Sequence, residues 1–374
     1  MRRVMVFCNK VVFGAVVLCL SARAAAGATL HVTDAWEKQI HPGVTYRHYK
    51  GYIDSFPVHV YAVEIHLNGD AVRIRPALAN DTIGSLETVP SMAKRYDALA
   101  AVNGSFFNRK EESPYPVGFL MMDGNPVFFS HRNRSAFGVT RAGDVVFGYP
   151  RARGIVYVED SGRYFQVWSM NNPRRENEVV VYTPEHGDRT RTNEYGREVV
   201  VEKNKVKELR AGNSPLPHDG YVISMHGKSR EYVNLFREGA NLRLYFVVDD
   251  EWVAVENAVT GGPLLLKDGN LAVGSVYTEE LKNGYRSRIP QTAVASAGRG
   301  HLLLVVVDGR NKRHSIGLTY TELAEFLMRT GAVNAVGMDG GGSSTMVING
   351  EVVNKPSDGK PRRVNNAILV LKKP

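Results

Sequence analysis

Residues 301–354 constrain the fold more than any other stretch. Leu302-Leu-Leu-Val-Val-Val307 is a six-residue apolar run, the pattern of a strand buried on both faces. It stops at Asp308-Gly309-Arg310. Thr319 then stands three residues before Glu322, the spacing of a capping box, and Leu323, Phe326 and Leu327 share one helical face. Gly331 supplies a C-terminal cap. Residues 332–338 form a second apolar strand pattern, ending at Asp339-Gly340-Gly341-Gly342-Ser343-Ser344-Thr345. Asn349-Gly350 between two short apolar segments is a hairpin signature. Strand, helix, strand predicts a C-terminal βαβ unit, a parallel pair joined by a crossover. Asp308 and Asp339 then sit just beyond the carboxyl ends of their strands. With the strands as neighbours, both carboxylates reach one sheet edge, where open α/β sheets hold ligands.

The remainder reads as mostly β. Residues 58–67 alternate like a strand, with 71–78 as hairpin partner across Asn68-Gly69-Asp70. A short helix is expected over 87–96. A buried strand over 98–102 runs into Asn103-Gly104-Ser105-Phe106-Phe107. From about 117 to 210, β-branched residues and turn pairs such as Asp123-Gly124 predict antiparallel hairpins. Residues 230–238 read as helical and 241–248 as a strand. No repeat and no low-complexity linker divides the chain, which points to one domain.

Composition enters mainly through the first 26 residues. Arg2, Arg3 and Lys10 precede the apolar run 11–22, followed by small residues from Ala24 to Ala28. This is the pattern of a secretory signal peptide, and the run is shorter than the roughly 20 residues of a membrane span. Bulky Leu18 before Cys19 argues against a lipid anchor. Cleavage after residue 26 would remove both cysteines and four basic residues, lowering the net charge from +9 to +5. The mature chain, 27–374, is then cysteine-free, exported (periplasmic or secreted), and has no integral membrane segment. Cysteine zinc sites and disulfides are excluded for it. No basic run with interleaved aromatics points to nucleic acid. The mild basicity fits an ordinary solvated surface or an anionic substrate.

Three features carry candidate chemistry. Gly340, Gly341 and Gly342 followed by Ser343, Ser344 and Thr345 are either a plain turn or a nest of N–H and hydroxyl groups for an anion such as phosphate. It is not a P-loop, because no Gly-Lys-Ser/Thr follows. Asp308 and Asp339 are the paired carboxylates that glycoside cleavage uses, or two loop caps. Arg310 either clamps a phosphoryl group or lies in solvent. The Asn103 amide suits sugar hydroxyls, while Phe106 and Phe107 either stack on a sugar or join the core. A divalent metal bridging the two acids and a phosphate is a further option.

Taken in order, Asn103-Gly-Ser-Phe-Phe, Thr260-Gly-Gly-Pro-Leu-Leu-Leu266, Val307-Asp-Gly-Arg310 and Asp339-Gly-Gly-Gly-Ser-Ser-Thr345 resemble the phosphodiester glycosidase family. The likeness runs from Gly43-Val-Thr-Tyr46 to Asn365-Asn-Ala-Ile-Leu-Val370, a core of about 43–371. It implies an α+β or mixed α/β domain with a curved mixed sheet and few helices. It also implies a substrate in which a sugar is joined through C1 to a phosphodiester, a phosphorylated glycan. Gly261 and Gly262 join the implied binding residues. One departure is clear: Pro290-Gln291-Thr-Ala-Val-Ala stands where the family has Pro-Arg-Thr-Ala. Gln291 keeps a hydrogen-bonding side chain but no charge, and Arg288 or Arg286 is the candidate replacement. The resulting expectation is an exported hydrolase with Asp339 as the principal acid, Asp308 assisting, and Arg310 and Arg288 on the phosphate. The alternatives are a non-catalytic glycan-binding protein and a phosphodiesterase cutting the P–O bond.

Overall fold

The computed structural model describes residues 28–108, 114–279, 281 and 286–373. The expected leader and both cysteines lie outside the described residues. His301–Val307 sits near the middle of an eight-stranded sheet, between Phe56–His66 and Gln291–Ser296. Its side chains alternate between two cores, as the unbroken apolar run requires. Leu304 and Val306 join Val63, Ile65 and Val336 on one face. Val305 and Val307 join Val60, Ala62 and the helix residues Leu323, Phe326 and Leu327 on the other. That helix, Tyr320–Arg329, begins with the expected capping box, in which Thr319 and Glu322 satisfy each other's backbone N–H. Gly331 follows it at φ +90°, a left-handed position that glycine reaches without a Cβ clash.

The βαβ expectation needs one correction. His301–Val307 and Asn334–Gly337 do run the same way, but Gln291–Ser296 lies between them and is antiparallel to both. The ten-residue helix spans about 15 Å, enough to step over one strand. The small, fully buried side chains of Thr292, Ala293 and Ala295 fill the place it leaves. The crossover still brings Asp308 and Asp339 to one sheet edge, separated by two strand spacings, or about 10 Å.

The hairpin predicted for 58–67 and 71–78 does not form. Both edges of Phe56–His66 are taken by Val44–Ile53 and His301–Val307, so Val72–Leu78 pairs instead with Asn366–Lys372 in a five-stranded sheet. Met346–Ile348 and Ala100–Asn103 belong to that second sheet. The glycine-rich turn is therefore the link by which the chain leaves one sheet for the other, above their shared core. A ten-stranded sheet holds most of the predicted antiparallel region, with its own core around Phe129, Val181, Ile223 and Trp252.

The mixed-sheet expectation is met only in part. The structure is mostly β, with two α-helices lying wholly within the described residues, Val89–Arg95 and Tyr320–Arg329. Its named ladders are antiparallel except for Ser169–Met170 with Val179–Tyr182. The helix expected over 230–238 is a 3₁₀ segment, Gly227–Leu235, whose first turn is tied down by His226, Ser229 and Asn177.

Candidate active site

The edge that collects the two aspartates also collects the residue between them. Gln291 pairs with Val307 on one side, and Ala293 pairs with Gly337 on the other. Gly309 and Gly340 both press against Pro290. Asp308, Gln291 and Asp339 thus form a row at the ends of three adjacent strands.

Asp308 is sealed at 1% exposure, and both of its oxygens are occupied. Oδ2 accepts from Tyr61 Oη at 3.1 Å and His314 Nε2 at 2.7 Å, Oδ1 accepts from Asn354 Nδ2 at 3.0 Å, and the Lys355 N–H reaches both. Asn354 in turn accepts from Met346 N at 2.8 Å and donates to the Ser344 carbonyl. The carboxylate therefore braces the far end of the glycine-rich turn. Around it, His48 Nε2 lies 3.0 Å from His59 Nδ1, and His59 packs against His314 with ring centroids 4.2 Å apart. Burial, then the neighbouring His314, holds His59 down at about 4, so it is neutral at physiological pH. The Tyr61 phenol is pushed above its ordinary value by burial and by the charge of Asp308. With both oxygens committed inside the protein, the Asp308 carboxylate supports the turn.

Asp339 is only half-buried. Its backbone is pinned, with its N–H donating to the Gly104 carbonyl and its carbonyl accepting from Asn103 Nδ2 at 2.6 Å. Burial and then the Asp339 charge push the Tyr320 phenol up, while Arg134 opposes them. Those three groups therefore share one electrostatic neighbourhood. Asp339 is the less buried acid of the pair.

The turn itself is a poorer anion nest than its glycines suggest. The N–H groups of Gly341, Ser343, Ser344 and Thr345 donate to Pro290, Gly340, Gly341 and the Asn103 side chain. Its positive charge comes from above. The guanidinium of Arg310 lies 2.9 Å from where a Cβ on Gly341 would be, and that of Arg362 occupies the equivalent space over Gly342. Any side chain at either glycine would displace an arginine. Arg362 also reaches Ser343 Oγ at 3.3 Å and pairs with Asp358 at 2.7 Å. Sequence reasoning missed Arg362, which stands in an undistinguished Pro-Arg-Arg stretch. Ser344 Oγ, Thr345 Oγ1 and Gln291 Oε1 are buried with no hydrogen-bond partner among the described residues.

Other expected contacts are diverted. Arg288 is bidentate to Glu322 (2.7–3.1 Å) and pairs with Asp54 at 2.5 Å, so it anchors the helix start instead of a phosphate. Arg286 is exposed. Asn103 is fully buried, with its carbonyl oxygen accepting from Thr292 Oγ1 at 2.9 Å and Thr345 N at 3.1 Å. It joins three segments of the site and does not offer its amide outward. Gly261 and Gly262 are buried where the backbone crowds Gly337 and the Glu279 carboxylate, a packing role. The two aspartates do not make a metal group with other described residues.

Beside this edge opens a cleft of about 580 Å³, reached from the Asn103 motif through Phe106 and Phe107. A second cavity of about 350 Å³ shares Ser130, His131, Arg132 and Arg134 with it. Arg132, Arg134, Arg151 and Arg175 line the pair, and no acidic side chain does among the described residues. The Arg134 guanidinium stacks over Phe106 at 5.4 Å. Trp168 adds an exposed ring. The cavities touch the sequence motifs only at Phe106, Phe107 and Thr260, and their arginines lie outside every motif.

Residues 192–371 match the phosphodiester glycosidase family. N-acetylglucosamine-1-phosphodiester alpha-N-acetylglucosaminidase is 41% identical over 169 residues in Bos taurus and 38% identical over 169 residues in Homo sapiens. The phosphodiester glycosidase family is the one to which this region belongs. In each case the match covers 40% of this chain and 32% of the relative, so the chain spans about a third of the length of these relatives. The fold reaches further. A Synechocystis protein superposes with TM-score 0.78 at 24% identity over 92% of this chain and 68% of its own. The zebrafish N-acetylglucosamine-1-phosphodiester alpha-N-acetylglucosaminidase catalytic domain superposes with TM-score 0.52 at 16% identity, over 92% and 88%. The phosphodiester glycosidase match contains the Thr260, Val307 and Asp339 motifs, and the Asn103 motif lies outside it. Among the described residues no helix is long and apolar enough to cross a membrane.

Proposed function

We propose that the chain is an exported hydrolase that cleaves sugar-1-phosphodiesters, acting on envelope or exopolysaccharide glycans. One observation carries the reading. A half-buried acid, Asp339, leads directly into a turn capped by two guanidinium groups, Arg310 and Arg362. Arginines suit the phosphodiester oxygens, which gain charge as the ester departs. The adjoining arginine-lined cleft, with aromatic rings at its wall, suits the rest of a phosphorylated glycan.

In the proposed reaction a water oxygen bonds to the anomeric carbon as the C1–O bond to phosphate breaks. The bonding pair leaves with the phosphomonoester, and Asp339 accepts the proton from water or stabilises the cationic sugar. A phosphomonoester has a second pKa near 6, so it leaves with little acid assistance. Asp308 acts at a distance, through Asn354 and the turn. Incubation with a synthetic N-acetylglucosamine-1-phosphodiester in heavy-oxygen water tests this. Label in the released sugar supports C–O cleavage, and label in the phosphate assigns the P–O phosphodiesterase instead. Gln291 at the centre of the row favours a second reading, a glycan-binding protein without turnover. Its signature is binding of the same ester with no sugar released.

A further inference from the structure

The strand that carries His59 and Tyr61 toward the candidate active site bears a different cluster at its other end. Glu64 and His66 are two residues apart on Phe56–His66 and so project from the same face. His301 is the direct antiparallel partner of His66. We propose that Glu64, His66 and His301 form a binding site for one divalent transition-metal ion, with zinc as the best match.

The geometry is close to that of a bound ion. His66 Nε2 and His301 Nδ1 each lie 3.8 Å from the same oxygen, Glu64 Oε1. The ligand atoms of all three residues fall within 4.8 Å of one another. Two ligands about 2.1 Å from zinc at a tetrahedral angle stand about 3.4 Å apart. A shift of a few tenths of an ångström closes the set, leaving the fourth position for water. Glu64 is already oriented: its other oxygen, Oε2, is held by Arg47 at 2.8 Å, and Arg47 is held by Glu37 at 2.7 Å. Such an outer hydrogen bond turns Oε1 toward the imidazoles. The Arg47 charge also weakens cation binding, which sets the expected affinity in the micromolar range rather than tighter.

The ligands sit on a rigid frame. The two strands remain paired to their ends, where His66 N bonds the Gly43 carbonyl and Leu67 N bonds the Gly300 carbonyl. Both histidines are exposed enough for an ion to enter from solvent, while Glu64 is mostly covered. Two imidazoles and one carboxylate favour zinc, copper or nickel over calcium or magnesium. The cluster is six residues along the strand from Val60, the partner of Val307, or about 20 Å from Asp308. An ion there bridges distant segments of chain and stabilises the folded state by mass action.

Zinc chloride titrated into the untagged, chelator-stripped full chain against a chromophoric indicator tests the site, with melting scans run in parallel. The expected result is one equivalent bound at micromolar affinity and a higher Tm with zinc. His66→Asn and His301→Asn are expected to weaken binding at least about ten-fold and to abolish the Tm rise. The exposed, isolated His218→Ala is expected to change neither. Glu64→Gln stands in for either histidine variant that melts early without metal. Absence of binding by the natural chain, or binding and a Tm rise that survive these substitutions, overturns the proposal.

Discussion

Asp308 and Asp339 follow strands that run the same way in one sheet, and each is followed by glycine, yet the fold uses them differently. Asp308 is enclosed by Tyr61, His314, Asn354 and Lys355 and acts as a brace. Asp339 is only half-buried as a residue, and its backbone and the turn after it are held by backbone bonds and by Asn103. A buried carboxylate needs donors on every side. An acid that is to meet substrate must leave that work to neighbours. The pair shows that two aspartates at one edge can have very different surroundings.

The sharpest way to break this contrast is Asp339→Asn, expected to lower kcat on a sugar-1-phosphodiester by about 10³-fold with Tm unchanged. Retained turnover removes Asp339 from the chemistry. Asp308→Ala is expected to cost about 3–5 kcal/mol in denaturant unfolding, because it strands several buried donors. A near-native midpoint would mean that the brace is dispensable. Arg310→Ala and Arg362→Ala are each expected to raise KM about ten-fold, or about 1.4 kcal/mol, with a less-than-additive double variant. Additive effects would place the two on separate groups of the substrate.

The smallest effect is in pH. His59 holds its proton only near 4 in the folded protein, while the unfolded chain takes it up near 6.5. Protonation therefore favours the unfolded state, and stability present above 6.5 is lost as pH falls toward 4. Burial dominates that shift, with His314, His48 and Lys50 adding to it and Asp308 opposing. Melting scans across this window are expected to show a Tm decline of a few degrees that His59→Asn reduces. His186, buried beside Tyr182, shifts the same way and supplies a background that remains. An unchanged slope in the His59 variant would count against the buried histidine cluster around Asp308.

Much of this was legible along the chain. The apolar run 302–307 announced a two-sided strand, Thr319 and Glu322 announced the helix start, and Asp339 with its glycines announced a special turn. What misled was pairing. Asn68-Gly69-Asp70 looks like a hairpin turn, but hydrogen-bonding edges are claimed by whichever strand buries more apolar surface, and His301–Val307 lies far away in sequence. Arg362 and Arg134 were invisible for the same reason. An arginine's role depends on what its long side chain lies against, here Gly342 and Phe106.

By itself the sequence determined the local elements, the caps, the motifs that tie 192–371 to its family, and the delivery of two acids to strand ends. Those features depend on neighbours a few residues apart, whose geometry the backbone period sets. Only the tertiary structure decided that Gln291–Ser296 slips between the two strands, that Arg288 is spent on Glu322, and that one aspartate is sealed in while the other is half-buried. Burial and hydrogen-bond partnership are properties of the assembled surroundings. They arise from residues such as Tyr61 and Asn354, which lie 247 and 46 positions from Asp308 along the chain.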